Sequence, residues 1–310
     1  MLTVLGALVP VFLLVITGSG LKRTLLPSTD VWIGMERLNY FILFPALLVD
    51  QIARADLKSV PVAGVGGALL IAALIVAALC FVLRPLLTSA FAADGPAFTS
   101  VFQGATRWQT FVAITLAANL YGDTGVALAS VAMVAMIPLL NILCVWMLAH
   151  YAAPRRLSWL AMVGTIAKNP LIWSCIIGIA INVSGLGMPQ PIHAFAAALG
   201  QSSIVVGLLA VGAGLHFEGL GHSRGTVAVA TLLKLVVMPA VAISLAFAFG
   251  VRGENLAVVA CCASVPTASN AYILARQMGG DAPLMAQIIA VQTILAALTM
   301  PIAITLAAGF

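Results

Sequence analysis

The sequence predicts an all-α polytopic membrane protein of ten transmembrane helices, arranged as two inverted five-helix repeats in which the fourth and ninth helices are interrupted. Three observations carry that prediction. The 310 residues are 63% apolar and only 7% charged, with a mean hydropathy of +1.16, whereas a soluble domain carries about 25% charged residues. The apolar residues fall into ten runs long enough to cross a hydrocarbon core of about 30 Å, which takes about 20 residues of helix. Two of those runs carry polar clusters at mid-depth, where each unpaired polar group costs roughly 2 to 7 kcal/mol. Such clusters are tolerated where they face protein or a wet cavity.

The spans are placed at 2–19, 34–53, 61–83, 98–120, 125–149, 159–183, 192–215, 226–249, 254–277 and 284–307. The first reads as a span rather than a signal peptide, because it lacks a basic leading region and an A-x-A-like cleavage site. Connections are short, and Lys and Arg concentrate on one set of them. With the N-terminus outside, the inner connections hold Lys22, Arg23, Arg84, Arg155, Arg156, Arg224 and Arg276, and the outer ones Arg54, Lys58 and Arg252. The positive-inside rule then places both termini outside the cytoplasm of a plasma membrane, in a bacterium the inner one. Residues 151–158 form the basic cytoplasmic linker between repeats at 1–150 and 159–310. A pI near 9.2 therefore reports topology, and no nucleic-acid partner is implied. The five cysteines lie in apolar runs without a C-x-x-C pair, so they read as small buried hydrophobes with no disulfide framework and no metal site. No cofactor is indicated.

An odd number of spans per half forces the second half to run upside down relative to the first. Setting Tyr121-Gly122-Asp123-Thr124-Gly125 beside Gly279-Gly280-Asp281-Ala282-Pro283 aligns the fourth span with the ninth. Arg107-Trp108-Gln109-Thr110 then stands opposite Val265-Pro266-Thr267-Ala268. A matched pair of interrupted spans is the best sequence pointer to the site of an inverted-repeat transporter.

The run Ala263-Ser264-Val265-Pro266-Thr267-Ala268-Ser269-Asn270 through to Gly279-Gly280-Asp281 resembles the auxin efflux carrier family. So do Lys168-Asn169-Pro170 in the sixth span, and Leu38-Asn39-Tyr40-Phe41 with Phe44-Pro45-Ala46-Leu47-Leu48 in the second. That family sits in the bile acid/arsenite/riboflavin transporter superfamily. The resemblance covers essentially the whole chain. It implies a scaffold part and a transport part whose fourth and ninth helices break and cross, and bacterial members are associated with small organic anions such as malonate and malate. The fourth span departs from the family pattern: it lacks an Asn-containing turn followed closely by Gly and Pro.

A helix that breaks at mid-membrane exposes backbone N–H groups and the positive end of a half-helix dipole, which together make an anion site. The downstream halves should begin near Gln109 and Ala268. Substrate-binding candidates are therefore Arg107, Gln109, Thr110, Pro266, Thr267, Ser269 and Asn270. The alternative for the polar ones is that they satisfy backbone freed by the break. Arg107 leads, because a guanidinium keeps its proton and offers a planar fork to a carboxylate; it could otherwise snorkel, or pair with Asp50 or Asp123. Asp50, Lys168, Asn169, His193 and Gln201 are candidates for coupling or for lining the cavity, each with a structural alternative as an interfacial or capping residue. Lys234, eight residues inside its span, is expected to snorkel to the interface.

The favoured function is secondary active transport of a small organic mono- or dicarboxylate, malonate- or malate-like or auxin-like, by alternating access, driven by proton coupling or the membrane potential. No Walker A run is present to drive it with ATP. Its partners are then the anion and the bilayer, with a homodimer left open. Competing readings are an intramembrane enzyme using Asp123 and Asp281, and a passive anion channel. The first needs two carboxylates about 3 Å apart, whereas an inverted repeat puts these on opposite faces. The second lacks rings of like charge.

Overall fold

A computed structural model describes the backbone of residues 2–54, 62–152, 163–164, 167–214 and 220–309. Most of the basic linker expected at 151–158 lies outside the described residues. The described chain is helical throughout. Helix α1 is Leu2–Arg23; α2 runs Thr29–Leu38, then a widened turn Asn39–Leu43, then Phe44–Ala53; α3 is Val62–Phe91 and α4 Gly95–Thr106. Helix α5 is Thr110–Tyr151, α6 Pro170–Ser184 and α7 Gln190–Ala213. Helix α8 runs Leu220–Leu232, widened turn Leu233–Val237, Met238–Ala248; α9 is Gly253–Ser264, α10 Asn270–Met278 and α11 Ala282–Ala308. Among the described residues six helices are long and apolar enough to cross a membrane, and Val112–Gly122, Pro170–Ser184 and Gly253–Ser264 are shorter apolar ones. The molecule is thus a polytopic membrane protein.

Local chemistry explains where these helices start, widen and stop. Pro45 and Pro239 have no N–H, and their rings push away the carbonyl one turn earlier. In each case the residue just before the proline, Phe44 or Met238, bonds five residues back, to the carbonyls of Asn39 and Leu233, which is the widened turn. The carboxylates of Asp94 and Asp281 cap α4 and α11 by accepting from the amides of Ala97 and Leu284, at 2.9 Å each. Burial raises the Asp281 carboxyl above its ordinary range, the Leu284 amide opposes that rise, and the Asp94 charge adds to it. Gly122 interrupts α5 at φ +57°, a conformation that a Cβ disfavours, so the continuation turns back into the bundle.

Packing divides the helices into two groups. Helices α1, α2, α6 and α7 pack on one another: α1 against α7, and α2 against both α6 and α7. Gly18 and Gly212 let α1 and α7 approach backbone to backbone, since a Cβ on either would strike the other helix's main chain. Helices α3, α4, α5, α8, α9 and α11 form the second group, with α9 against α5 and α11 and α3 against α5 and α8.

Candidate functional site

The two breaks lie side by side. Helix α4 stops at Thr106 and α5 starts at Thr110, with Arg107 extended at φ −71°, ψ 153°. The fourth span therefore breaks without the glycine and proline of the family pattern. Helix α9 stops at Ser264 and α10 starts at Asn270, with Val265 extended at φ −62°, ψ 149°. The amide of Gln109 donates to the carbonyl of Pro266 at 2.9 Å, a β-like bond between the two unwound strands. Thr267 Oγ1 donates to the carbonyl of Gly104 at 2.6 Å.

Gln292 of α11 locks the pair from behind. Its Oε1 accepts from the Thr267 amide at 3.0 Å, and its Nε2 donates to the carbonyls of Gly104 at 2.9 Å and Ala230 at 3.3 Å. Backbone groups freed by the breaks are thereby satisfied in a low-dielectric interior.

In front of the breaks is a cavity of about 50 Å³, room for a few waters. Its walls come from both packing groups. Arg107, Trp108, Gln109 and Thr110 face Ser269 and Asn270 across it, while α2 and α7 add Asn39, Gln51 and Ser203. Arg107 is 4% exposed, and its Nη2 donates to Asn141 Oδ1 at 2.7 Å. Among the described residues no carboxylate pairs with this buried guanidinium, which sets aside Asp50 and snorkelling; the Asp123 side chain, the other alternative, lies outside the described residues. Trp108 Nε1 and Asn270 Oδ1 are buried without a hydrogen-bond partner.

A second, wider space of about 410 Å³ shares the walls Leu47, Gln51 and Ile204 with the cavity and carries Asp50, Arg54, His193 and Gln201. At the other end of α2, Arg276 Nε donates to Glu36 Oε2 at 3.2 Å, with Glu36 buried.

Of the residues singled out from sequence, Arg107, Gln109, Thr110, Ser269 and Asn270 meet at the cavity, and Asp50, His193 and Gln201 at the wider space. Pro266 and Thr267 do not line the cavity; they form the clasp between the breaks. Asn169 caps α6, accepting from the Leu171 amide at 2.9 Å and donating to the Tyr40 hydroxyl at 2.8 Å. Lys168 is exposed, beyond reach of either space. Lys234 is a correction of the opposite kind: it is 0% exposed, its Nζ has no partner among the described residues, and α8 turns it into the bundle. The Asp123 side chain lies outside the described residues, and Asp281 serves as a helix cap. Sequence reasoning passed over Asn141, Glu36 and Gln292. Asn141 is a lone polar residue inside an apolar run, and Glu36 beside Arg37 and Gln292 beside Thr293 are polar pairs inside apolar ones, the signal that should have drawn attention to them.

Paired interrupted helices around a polar cavity are the arrangement in which inverted-repeat membrane transporters hold their substrates. Residues 154–304, just under half of the chain, match the family of membrane transport proteins that includes the auxin efflux carriers. A stretch of 135 residues, 43% of the chain, is 27% identical to an uncharacterized transporter of Methanothermobacter thermautotrophicus. That match spans 44% of the relative's length. The family is one of transporters and not of enzymes.

Proposed function

We propose that this protein is a secondary active transporter that carries a small organic anion, a mono- or dicarboxylate of malonate, malate or auxin type, by alternating access. The observation that carries the reading is Arg107: a guanidinium buried beside a cavity, with no carboxylate to neutralise it among the described residues, next to the first turn of α5, whose leading amides have no acceptor within the helix. A buried unpaired cation is costly, and a substrate carboxylate accepting its fork and those amides offsets that cost.

The packing supports two inverted five-helix repeats with crossed fourth and ninth spans. Exchanging α1 with α6, α2 with α7, α3 with α8, α4 with α9 and α10, and α5 with α11 maps the main helix contacts onto one another. The four-helix group then serves as scaffold and the other as the moving part. Driving force would come from a proton or from the membrane potential, about 2.3 kcal/mol per charge per 100 mV. Both termini stand outside the cytoplasm on this reading.

Uptake of labelled malonate and malate into proteoliposomes tests it. Wild type should show saturable, exchange-stimulated flux, and Arg107→Gln should raise the half-saturating concentration about ten-fold or more, the value of one charge-assisted bond. Flux that never saturates would point to a channel instead. Saturable uptake with unchanged affinity in Arg107→Gln would remove Arg107 from the site.

A further inference from the structure

The wider space contains a charged cluster that the inner cavity does not use. Asp50 and Arg54 stand one turn apart near the end of α2, and His193 faces them from the first turn of α7. His193 Nδ1 is 2.6 Å from Asp50 Oδ1, and Arg54 Nη1 is 2.9 Å from His193 Nε2 and 3.4 Å from Nδ1. The donor inventory settles the imidazole's state. A guanidinium only donates, so Nε2 must present its lone pair; the ring's one proton then sits on Nδ1 and is given to Asp50. The imidazole is held neutral between an anion and a cation.

That arrangement can hold only one of two things at Nε2. A proton arriving there turns an acceptor into a donor, and the Arg54 guanidinium loses its partner and is repelled by the imidazolium. Asp50 stays with Nδ1, now as the acceptor of an ion pair. The result is two cationic donors, Nε2–H and the Arg54 fork, turned loose on the wall of a space of about 410 Å³. Other charges do not offset them among the described residues: α5 supplies Ile114 and Met133 to this wall, and α7 adds Ala197, Gln201 and Ile204. From α6, Asn182 donates to the carbonyls of Ile52 and Ala53.

We propose that Asp50, His193 and Arg54 form a second anion site at the mouth of the cavity, which takes an organic carboxylate together with a proton. The proton comes from solvent and goes to His193 Nε2; the carboxylate accepts from that new N–H and from Arg54. The shared walls Leu47, Gln51 and Ile204 then pass the anion inward toward Arg107. This rests on the carboxylate-transporter reading above and adds to it where the proton enters.

The test is equilibrium binding of labelled malonate to the purified full-length protein at about pH 5.5 and about pH 7.5. Wild type should bind roughly ten-fold tighter at the lower pH, the value of one charge-assisted hydrogen bond. His193→Gln should lose that gain and keep the weaker affinity, with any titration of malonate itself cancelling in the comparison. Arg54→Gln, altered at an exposed side chain, should reduce the gain. Retention of the full gain in both variants, or a wild type indifferent to pH, overturns the mouth site while Arg107→Gln, if it still weakens binding at both pH values, leaves the transporter reading standing. Absence of malonate binding to wild type at either pH overturns both.

Discussion

Lys234 shows how far a single residue's fate escapes local reasoning. Its position in the apolar run Leu232-Leu233-Lys234-Leu235-Val236 suggested a stem that carries the amine out to the interface. In the folded protein the widened turn ahead of Pro239 sets its direction, and packing against α4, α9 and α11 leaves the amine no route out. Burying a polar head without a partner costs about 1 to 3 kcal/mol more than burying methylenes. Lys234→Met keeps the volume and removes that head, so it should raise the midpoint of thermal unfolding in detergent by a few degrees. A lower midpoint would mean that the amine has a partner in the folded protein.

At the scale of elements, the clasp between the breaks separates structural from ligand-facing polarity. Thr267 and Ser269 are two residues apart and look equivalent in sequence. The Thr267 hydroxyl bonds across to Gly104, while Ser269 lines the cavity beside Gly207 of α7. Thr267→Val removes a donor from a buried carbonyl that only Gln292 then satisfies, at a cost of about 1 kcal/mol. It should lower thermal stability measurably. Ser269→Ala should leave the midpoint where it is and weaken malonate binding several-fold; the reverse pattern would exchange their roles. The breaks themselves were legible from Pro266 and from the density of polar residues. Which polar side chains clasp and which face the cavity depends on where the other broken helix lies, and nothing local to either span says so.

For the whole molecule, α2 ties two ends together. Asp50 lies beside the wide mouth, and Glu36, 14 residues earlier and so about 21 Å along the helix, is buried in its ion pair with Arg276 of α10. On the proposed reading, a wide mouth with this end held shut is one limb of an alternating-access cycle. Glu36→Gln should loosen the closed end, because an amide holds a guanidinium more weakly than a carboxylate does. A cysteine placed at Ser269, with the five buried native cysteines replaced, should react with an impermeant thiol reagent from the mouth side alone in wild type. In the Glu36→Gln background it should react from both sides. Labelling from the mouth side only in both proteins would show that the ion pair does not gate.

Composition alone decides that this chain lives in a bilayer, since 63% apolar residues leave too few polar groups to clothe a water-facing surface. Hydropathy, Pro266 and the clustering of polar residues likewise point to which helices form and where two of them break, because each effect acts within a turn or two of the residues that cause it. The tertiary structure decides the rest: that Arg107 meets Asn141 and not an acid, that Lys234 turns inward, and that His193 falls between Asp50 and Arg54. Those outcomes join residues 34, 143 or 139 positions apart along the chain, or depend on the packing of whole helices. A one-dimensional pattern carries no distance between them.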